Sequence, residues 1–293
     1  MSYRILLLGR NGQVGWELER SLQPLGEVVG LGRKQGDLSE PGFLTEVVRN
    51  LRPHLVINAA AYTAVDRAEE EEGLARVING EAVGLLAHAA HECGALLVHY
   101  STDYVFDGSK VSPYVEDDQT APLNAYGRTK LAGEEAIRAS GCAHLIFRTS
   151  WVYSHRGHNF LMTMRKLMVE RDELRIVSDQ IGAPTSARVI ADTTTAVLTR
   201  INQQTPATLS AGQLGTFHLT CQGSTTWFGF AEAIRKSCPE LHARQIQLLP
   251  IPGSAYPTPA RRPANSRLDC NRLQQTFGLH LPNWQEALRL TIS

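Results

Sequence analysis

The feature that most restricts the fold is a glycine turn between a strand-like run and a helical run near the N-terminus. Residues 4–8 have the length and apolar composition of a buried strand, and Gly9-Arg10-Asn11-Gly12-Gln13-Val14-Gly15 follows at once. Residues 16–22 then carry apolar side chains at helical spacing. This order is the context that a dinucleotide-binding fingerprint requires, although the spacing is G-x-x-G-x-x-G and a bare structural turn is the alternative. The glycines let the backbone approach a pyrophosphate, and the helix N-terminus supplies amide donors.

Apolar runs of strand length recur through the first half of the chain and alternate with helical runs. We predict further buried strands at residues 27–31, 54–61, 95–103 and 144–151. Strands that alternate with helices form a parallel sheet with helices on both faces. We therefore predict an α/β fold with a Rossmann-like doubly wound parallel sheet.

The composition excludes several classes of partner. The 293 residues have a formal net charge of zero and no block rich in lysine and arginine, which argues against nucleic acid or an anionic membrane surface. No apolar segment approaches the roughly 20 residues that span a bilayer. The five cysteines are dispersed without C-x-x-C spacing, so we interpret them as reduced thiols and predict a cytoplasmic protein.

The end of the second predicted strand bears on the choice of nicotinamide cofactor. In proteins that bind NAD, an acidic residue here holds the ribose 2′-hydroxyl, but this chain has Gly32 followed by Arg33. A guanidinium can bind a 2′-phosphate through two parallel donors, so we predict NADPH without excluding NADH. The alternative is that Arg33 is a solvated loop residue. Asp37 and Leu38 offer a polar edge and an apolar face to the adenine.

A tyrosine and a lysine, Tyr126 and Lys130, are spaced to share one face of a helix predicted at residues 126–138. A nearby ammonium lowers the pKa of a phenol, which is about 10 in water, and such a phenol can exchange a proton with a carbonyl oxygen. Thr102 and Asp103 end the predicted strand 95–103, where parallel sheets bind ligands, and offer a hydroxyl to a carbonyl and a carboxylate to a sugar. An ordinary surface pair is the alternative for Tyr126 and Lys130.

Two further features concern a tryptophan with two open interpretations and an acidic run with one simple interpretation. Trp151, at the end of the strand 144–151, either belongs to the core or stacks on a ring of a ligand. The acidic run at residues 69–72 is interpreted as a solvated first helical turn, because adjacent positions diverge around a helix and cannot converge on one metal ion.

With these residues in place, the chain resembles the extended short-chain dehydrogenase/reductases over nearly its whole length. Within them it resembles the branch that reduces the C4 keto group of dTDP-4-dehydro-6-deoxy-L-mannose to dTDP-L-rhamnose, the final step of dTDP-rhamnose synthesis for cell-envelope polysaccharide. The segments that carry the resemblance are Gly9-x-x-Gly12-Gln13-Val14-Gly15 and residues 58–66, 99–106, 126–134, 147–153, 179–185 and 256–268.

The resemblance implies roles for individual residues and a division of the chain. Residues 1–150 would form the NAD(P)-binding Rossmann domain, with segments near 185–220 returning to it, and residues 151–293 would form mainly a smaller, partly discontinuous substrate-binding region. Thr102, Tyr126 and Lys130 take the catalytic roles, and Thr102, Asp103 and Trp151 contact the nucleotide-sugar. The cofactor would be lined by Gly9, Asn11, Gly12, Gln13, Val14, Arg33, Asp37, Leu38, Ala61, Tyr62, Thr63, Tyr100, Tyr126 and Lys130.

The resemblance also bears on phosphate binding, metals and assembly. Arg261, Arg262 and Arg267 are candidates for the diphosphate of the dTDP-sugar, and the sequence leaves open which one binds. Members of this branch have been associated with a homodimer linked by Mg²⁺ through carboxylates. Glu17 suits that role, but Arg188 stands where we expect an acidic residue, so we predict no metal site and leave a homodimer open.

Two other functions stay open. One is a reductase of another dTDP-4-keto-deoxysugar, which the stereochemistry of the product at C4 would separate. The other is a non-catalytic regulatory subunit on the same scaffold, as in the regulatory subunit of methionine adenosyltransferase. The set of Thr102, Tyr126 and Lys130 counts against a pure binding module, because such a module does not need a proton-exchanging phenol.

Overall fold

The computed structural model describes residues 3–201, 211–241 and 245–292, and this part contains ten α-helices and twelve strands. The helices are α1 (Gln13–Ser21), α2 (Pro41–Leu51), α3 (Glu72–Arg76), α4 (Ala82–Glu92), α5 (Ala125–Ala139), α6 (Phe160–Glu170), α7 (Ala187–Ile201), α8 (Trp227–Ser237), α9 (Asn271–Phe277) and α10 (Trp284–Ile292). The strands are β1 (Arg4–Leu8), β2 (Glu27–Leu31), β3 (Leu55–Asn58), β4 (Leu96–Thr102), β5 (His144–Thr149), β6 (Val152–Tyr153), β7 (Glu173–Val177), β8 (Ile181–Gly182), β9 (Thr185–Ser186), β10 (Gly215–His218), β11 (Thr225–Thr226) and β12 (Gln247–Ile251).

Six parallel strands form the central sheet, in the order β10-β5-β4-β3-β1-β2. The chain order reverses between β1 and β3, which creates a crevice at the carboxyl ends of these strands. The predicted parallel sheet is confirmed. Two predicted strands end earlier than expected, because the Asn58 side chain accepts the Ala60 N–H after β3 and because Trp151 has a left-handed φ of 49° after β5.

Successive residues of β1 point to opposite faces of the sheet, as the pleat requires. Ile5 and Leu7 pack into one buried cluster, and Leu6 and Leu8 pack into another. The first cluster includes side chains of α1, α7 and α9, and the second includes side chains of α2, α4 and α5. Apolar side chains thus cover both faces, which confirms the doubly wound arrangement.

Later segments return to this sheet. α7 packs on α1, and β10 extends the sheet as the neighbour of β5. Of the predicted returning segment near 185–220, residues 202–210 lie outside the described residues. The boundary at residue 150 stays a prediction.

The second side of the molecule consists of short strand pairs and three helices. β6 pairs with β9, β7 with β12, and β8 with β11, while α6, α8 and α10 enclose a core rich in aromatic residues and methionine. We call residues 260–269 the strap, because this segment joins the two sides. Its Ala260 N–H donates to Asp66 at 3.2 Å, and Ile181 N–H donates to the strap's Ala264 carbonyl at 2.8 Å.

A buried ion pair fixes α5 to β5. Arg148 donates to the two carboxylate oxygens of Glu134 at 2.8 and 2.7 Å, and both side chains are almost fully enclosed. Burial opposes the ionisation of Glu134, but the guanidinium outweighs it and holds the pKa of this carboxyl below its usual range. The helix that carries Tyr126 is therefore held in register with the sheet.

Elsewhere the described residues show no disulfide and no membrane-crossing element. All five cysteines are unpaired thiols, and four of them are buried. None of the described helices combines the length and the apolar character needed to cross a bilayer.

Candidate active site

A cleft of about 800 Å³ lies at the carboxyl ends of the sheet strands, where the strand order reverses. Apart from Tyr62 and the three candidate arginines for the diphosphate, the residues predicted for catalysis, cofactor binding and sugar contact line it. They are Gly9, Asn11, Gly12, Gln13, Val14, Arg33, Asp37, Leu38, Ala61, Thr63, Tyr100, Thr102, Asp103, Tyr126, Lys130 and Trp151. The sheet therefore brings together residues that are far apart in the sequence.

The glycine turn packs its own backbone too tightly for side chains. Gly9 has a φ of 80°, and a Cβ at Gly15 would lie 2.1 Å from the Gly9 carbonyl oxygen. α1 begins after Gly12 with no side-chain cap, and its first turn has no acidic residue. Exposed amide donors without a competing carboxylate suit a pyrophosphate, so these residues fit a dinucleotide.

The far end of the cleft carries one cation and one carboxylate. Arg33 is exposed beyond β2, and Asp37 is half-buried nearby. The Ser39 N–H donates to Asp37 at 2.9 Å, and this bond, with the charge of Arg33, lowers the pKa of the carboxyl although burial opposes the shift. Both residues lie where the adenosine end of a dinucleotide would bind.

Thr102 and Asp103 form a buried polar pair at the end of β4. The Thr102 hydroxyl donates to Asp103 Oδ1 at 3.0 Å and accepts the Tyr104 N–H at 3.2 Å. Asp103 lines the cleft, and burial raises the pKa of its carboxyl to about 6, although hydrogen bonds from Ser266 of the strap and from Thr102 oppose the shift. A carboxylate in this position can accept a hydrogen bond from a ligand hydroxyl.

The start of α5 sets the position of Tyr126. Asn124 caps the helix by accepting the Gly127 N–H at 2.8 Å, and Glu69 accepts the Ala125 N–H at 2.7 Å. The Tyr126 ring meets Tyr104 edge to face at a centroid distance of 5.6 Å. The phenol is therefore held by contacts from two other segments.

The expectation that Lys130 lowers the pKa of Tyr126 is wrong for this structure. Burial and the neighbouring Asp103 carboxylate raise the pKa of Tyr126 well above its usual value, and only Thr102 acts in the other direction. The reason is that the Lys130 ammonium is used elsewhere: Nζ donates to the Tyr100 carbonyl at 2.6 Å. Tyr126 is therefore protonated at neutral pH.

Lys130 also lies against a buried histidine. Asn58 Oδ1 accepts the Ala60 N–H, so Asn58 Nδ2 is left to donate to His99 Nδ1 at 3.2 Å. The other ring nitrogen, Nε2, lies 3.1 Å from Lys130 Nζ. Burial lowers the pKa of Lys130 to about 8, against the opposing charge of Glu134.

Trp151 borders the cleft with its ring stacked on Trp227 of α8, at a centroid distance of 3.6 Å. A Cβ at Gly182 would lie 2.5 Å from the Trp151 ring, so the glycine leaves room for the indole. The left-handed φ of 49° at this tryptophan is unusual for a bulky residue and places the ring at the mouth of β5. Trp151 therefore belongs both to an aromatic stack and to the cleft wall.

One predicted cofactor residue lies beside the cleft, and one interpretation of the sequence needs correction. The Tyr62 hydroxyl donates to Glu71 at 2.5 Å, and its ring packs in the same small cluster as Tyr126, so its contact with the cofactor stays a prediction. The acidic run is more than a solvated turn, because Glu69 holds the first amide of α5 and Glu72 pairs with Arg128 at 2.9 Å.

The three candidate arginines for the diphosphate do not line the cleft. Arg262 forms a bidentate pair with Asp66, with distances of 3.1 and 2.8 Å. Arg267 donates to the Val111 carbonyl and to Asn265, and the Arg261 side chain is exposed. Arg262 and Arg267 thus hold the strap in place.

The residues around Glu17 do not fit a divalent cation. Arg188 lies 3.6 Å from the Glu17 carboxylate and pairs with Asp192 at 2.9 Å, so a guanidinium already supplies the positive charge. Across the described ranges, no group of three histidine, cysteine, aspartate or glutamate side chains is arranged to hold a metal ion.

The sequence analysis missed several residues that shape the site. His99 and Asn58 orient Lys130, and Glu69 anchors α5. The signal for His99 was a polar side chain in an otherwise apolar strand. Arg156 and His158 also line the cleft, and no local pattern pointed to them.

Comparison with known proteins agrees with this geometry. Residues 3–293 match the family model described as the RmlD substrate binding domain. The dTDP-4-dehydrorhamnose reductase of Burkholderia thailandensis is 51% identical over 293 residues, which cover 99% of this chain and 98% of the relative. The enzyme of the same name from Escherichia coli K12 is 47% identical, over 97% of this chain and 95% of the relative. The crystal structure of dTDP-4-dehydrorhamnose reductase from Bacillus anthracis in complex with NADP is 36% identical, has a TM-score of 0.88 and covers 99% of each chain.

Proposed function

The chain belongs to the family of the RmlD substrate binding domain, and from this premise we propose that it is a dTDP-4-dehydrorhamnose reductase. It reduces the C4 keto group of dTDP-4-dehydro-6-deoxy-L-mannose to dTDP-L-rhamnose with NADPH, and it also accepts NADH. The relatives that share 51% and 47% of its residues carry this name, and one solved relative is a complex with NADP. The observation that carries the proposal is that Thr102, Tyr126 and Lys130 line the same cleft as the glycine turn.

The first task of these residues is to bind and orient the substrate carbonyl. We assign the Thr102 hydroxyl to the C4 oxygen and the Asp103 carboxylate to a sugar hydroxyl, because both residues line the cleft at the end of β4. We assign Trp151 to the face of the sugar or base, since its ring borders the cleft. These contacts hold the carbonyl carbon beside the cofactor.

The second task is proton transfer. When bound, the nicotinamide cofactor supplies the hydride that C4 receives. Tyr126 gives its phenolic proton to the C4 oxygen, and its raised pKa keeps it in the donating form before the reaction. Lys130 lines the same cleft and is assigned to the nicotinamide ribose, and the Tyr126 phenolate regains its proton from solvent.

The proposed function is tested by following the loss of reduced-nicotinamide absorbance with the purified keto-sugar nucleotide, first with NADPH and then with NADH. We expect turnover with both and a larger kcat/KM with NADPH, and dTDP-L-rhamnose as the product by NMR. A product with the opposite configuration at C4 would identify a reductase for another sugar. Cofactor binding without turnover would identify a non-catalytic subunit.

A further inference from the structure

A loop from the second side of the molecule, residues 154–159, is fastened to the glycine turn. Asn159 Nδ2 donates to Gln13 Oε1 at 2.9 Å and also to the Ser154 and Arg156 carbonyls at 2.9 and 3.0 Å. Asn159 Oδ1 accepts the Met162 N–H at 3.1 Å and so caps α6. One side-chain amide therefore fixes the loop to both the turn and the first residues of α6.

This loop places Arg156 at the cofactor end of the cleft. The Arg156 N–H donates to Ser154 Oγ at 3.2 Å, and Ser154 Oγ donates to the Arg156 carbonyl at 2.8 Å, so the backbone here is held. The guanidinium carbon lies 3.5 Å from the ring centroid of Trp16, which stands in the first turn of α1. Arg156 lines the cleft together with Gly12 and Gln13.

The guanidinium of Arg156 has an unmet bonding requirement. Its Nη1 is shielded from solvent and makes no hydrogen bond. A guanidinium carries five N–H donors, and a buried donor without an acceptor is unfavourable. No carboxylate forms an ion pair with Arg156 in the described part of the chain, and the first turn of α1 contains no acidic residue. Nη1 itself is closed to solvent, but the other N–H groups of this guanidinium also make no hydrogen bond with the described residues, and Arg156 lines the cleft. An anion bound beside the glycine turn would therefore meet unpaired donors.

We propose that Arg156 binds the diphosphate bridge of the nicotinamide dinucleotide, together with the amides of the glycine turn. This assignment rests on the proposed function, which places a dinucleotide in the cleft. A guanidinium binds phosphate oxygens through parallel donors, and stacking on Trp16 holds its plane in advance. Arg33 lies at the other end, beyond β2, so the two arginines serve different phosphates: Arg156 acts on NADH and NADPH alike, and Arg33 acts on NADPH only.

The proposal is tested by measuring the dissociation constants of NADPH and NADH by calorimetry for the wild type, Arg156→Ala, Arg156→Lys and Arg33→Ala. We expect Arg156→Ala to weaken both cofactors by the same factor, about 10- to 100-fold, since a lost charge-assisted bond has this size. Arg156→Lys should lose less affinity for both cofactors, because lysine keeps the positive charge. Arg33→Ala should weaken NADPH alone. Wild-type affinity should also fall more steeply with added KCl than that of Arg156→Ala.

Arg20→Ala is the matched control. The Arg20 guanidinium lies 3.4 Å from the same Trp16 ring centroid, so this variant also removes one arginine that stacks on that ring. Arg20 is exposed, donates to the Trp16 carbonyl at 2.6 Å and does not line the cleft. We expect both dissociation constants to stay within about twofold of wild type. Thermal unfolding of each variant shows which ones are folded, and Arg156→Lys decides the test if Arg156→Ala does not fold.

Three outcomes would overturn the proposal. If both Arg156 variants bind both cofactors as tightly as Arg20→Ala does, Arg156 serves only to pack on Trp16. A loss restricted to NADPH would assign Arg156 to the 2′-phosphate instead of the diphosphate. If the folded wild type binds neither dinucleotide, the proposed function fails, and the assignment of Arg156 fails with it.

Discussion

The two sides of the cleft are built in different ways. On the sheet side, Thr102 and Asp103 lie at the end of β4, Tyr126 and Lys130 lie on α5, and the main chain itself forms the glycine turn. On the other side, paired strands as short as two residues leave the positioning to side chains: Trp151 on Trp227, Asn159 on Gln13, and the strap's Arg262 on Asp66. A site formed by the main chain depends on local sequence, whereas a site formed by side chains depends on distant partners.

The largest expected effect tests whether catalysis depends on residues of the sheet side alone. Tyr126→Phe should lower kcat by about 10²- to 10⁴-fold, because proton transfer to the C4 oxygen is lost in the transition state. The cofactor dissociation constant should stay within a few-fold, since the ring and its contact with Tyr104 remain. Steady-state kinetics and cofactor titration measure both quantities. Turnover near that of the wild type would remove Tyr126 from its role.

The second effect compares an ion pair inside the sheet side with one on the surface. Glu134→Gln should lower the free energy of unfolding by about 3 kcal/mol, because it leaves the buried Arg148 without its counter-charge. Glu72→Gln removes the counter-charge of Arg128 in an exposed pair and should cost less than about 1 kcal/mol. Urea denaturation of both variants gives the comparison. Equal losses would show that enclosure of the Glu134 pair does not matter.

The third effect uses one glycine from each side. A Cβ at Gly15 would lie 2.1 Å from the Gly9 carbonyl, so Gly15→Ala should weaken cofactor binding by about 100-fold. A Cβ at Gly182 would meet the Trp151 ring at 2.5 Å, so Gly182→Ala should raise the KM of the sugar nucleotide by about tenfold. Each variant should leave the other ligand's affinity nearly unchanged. If Gly15→Ala raised the KM of the sugar nucleotide, or Gly182→Ala weakened cofactor binding, the two sides would not act separately.

The smallest effect concerns Asp103, where the sides meet. Its pKa is raised from 3.8 to about 6 on folding, so the ionised carboxylate destabilises the folded state. This loss of folding free energy reaches its full size above about pH 6 and disappears below about pH 3.8. Asp103→Asn should therefore raise the free energy of unfolding by about 1 to 3 kcal/mol at pH 7.5, and the gain should vanish in acid. A gain that is independent of pH would exclude this origin.

The features of the sheet side that follow local patterns could be predicted from the sequence. The parallel sheet, the glycine turn and the Tyr126–Lys130 face were predictable, because strand and helix periods are local properties and the ends of parallel strands share one edge. The apolar positions of α6, Phe160–Glu170, likewise repeat along one helix, which is a local property of the sequence. The roles of single residues in binding and catalysis stay proposals.

What escaped prediction depends on contacts between distant segments. The pKa of Tyr126 could not be inferred from the Tyr-x-x-x-Lys spacing, because it depends on burial and on Asp103, while Lys130 is held by Tyr100 and His99. Glu71 accepts the Tyr62 hydroxyl, a contact that the motif around Tyr62 does not reveal. The arginines of the strap looked free in the sequence because their partners, such as Asp66, lie far away along the chain.

The late position of β10 in the chain has a consequence for synthesis. When residues 1–150 have left the ribosome, β5 is still the edge of a five-stranded sheet, with open hydrogen-bonding groups and an uncovered Phe147. β10 supplies Phe217, and α9 then adds Phe277 at a centroid distance of 5.2 Å from it. The edge of the first half therefore stays open until β10 is made and is covered only when α9 follows, and during that interval an unpaired strand edge is prone to misassembly.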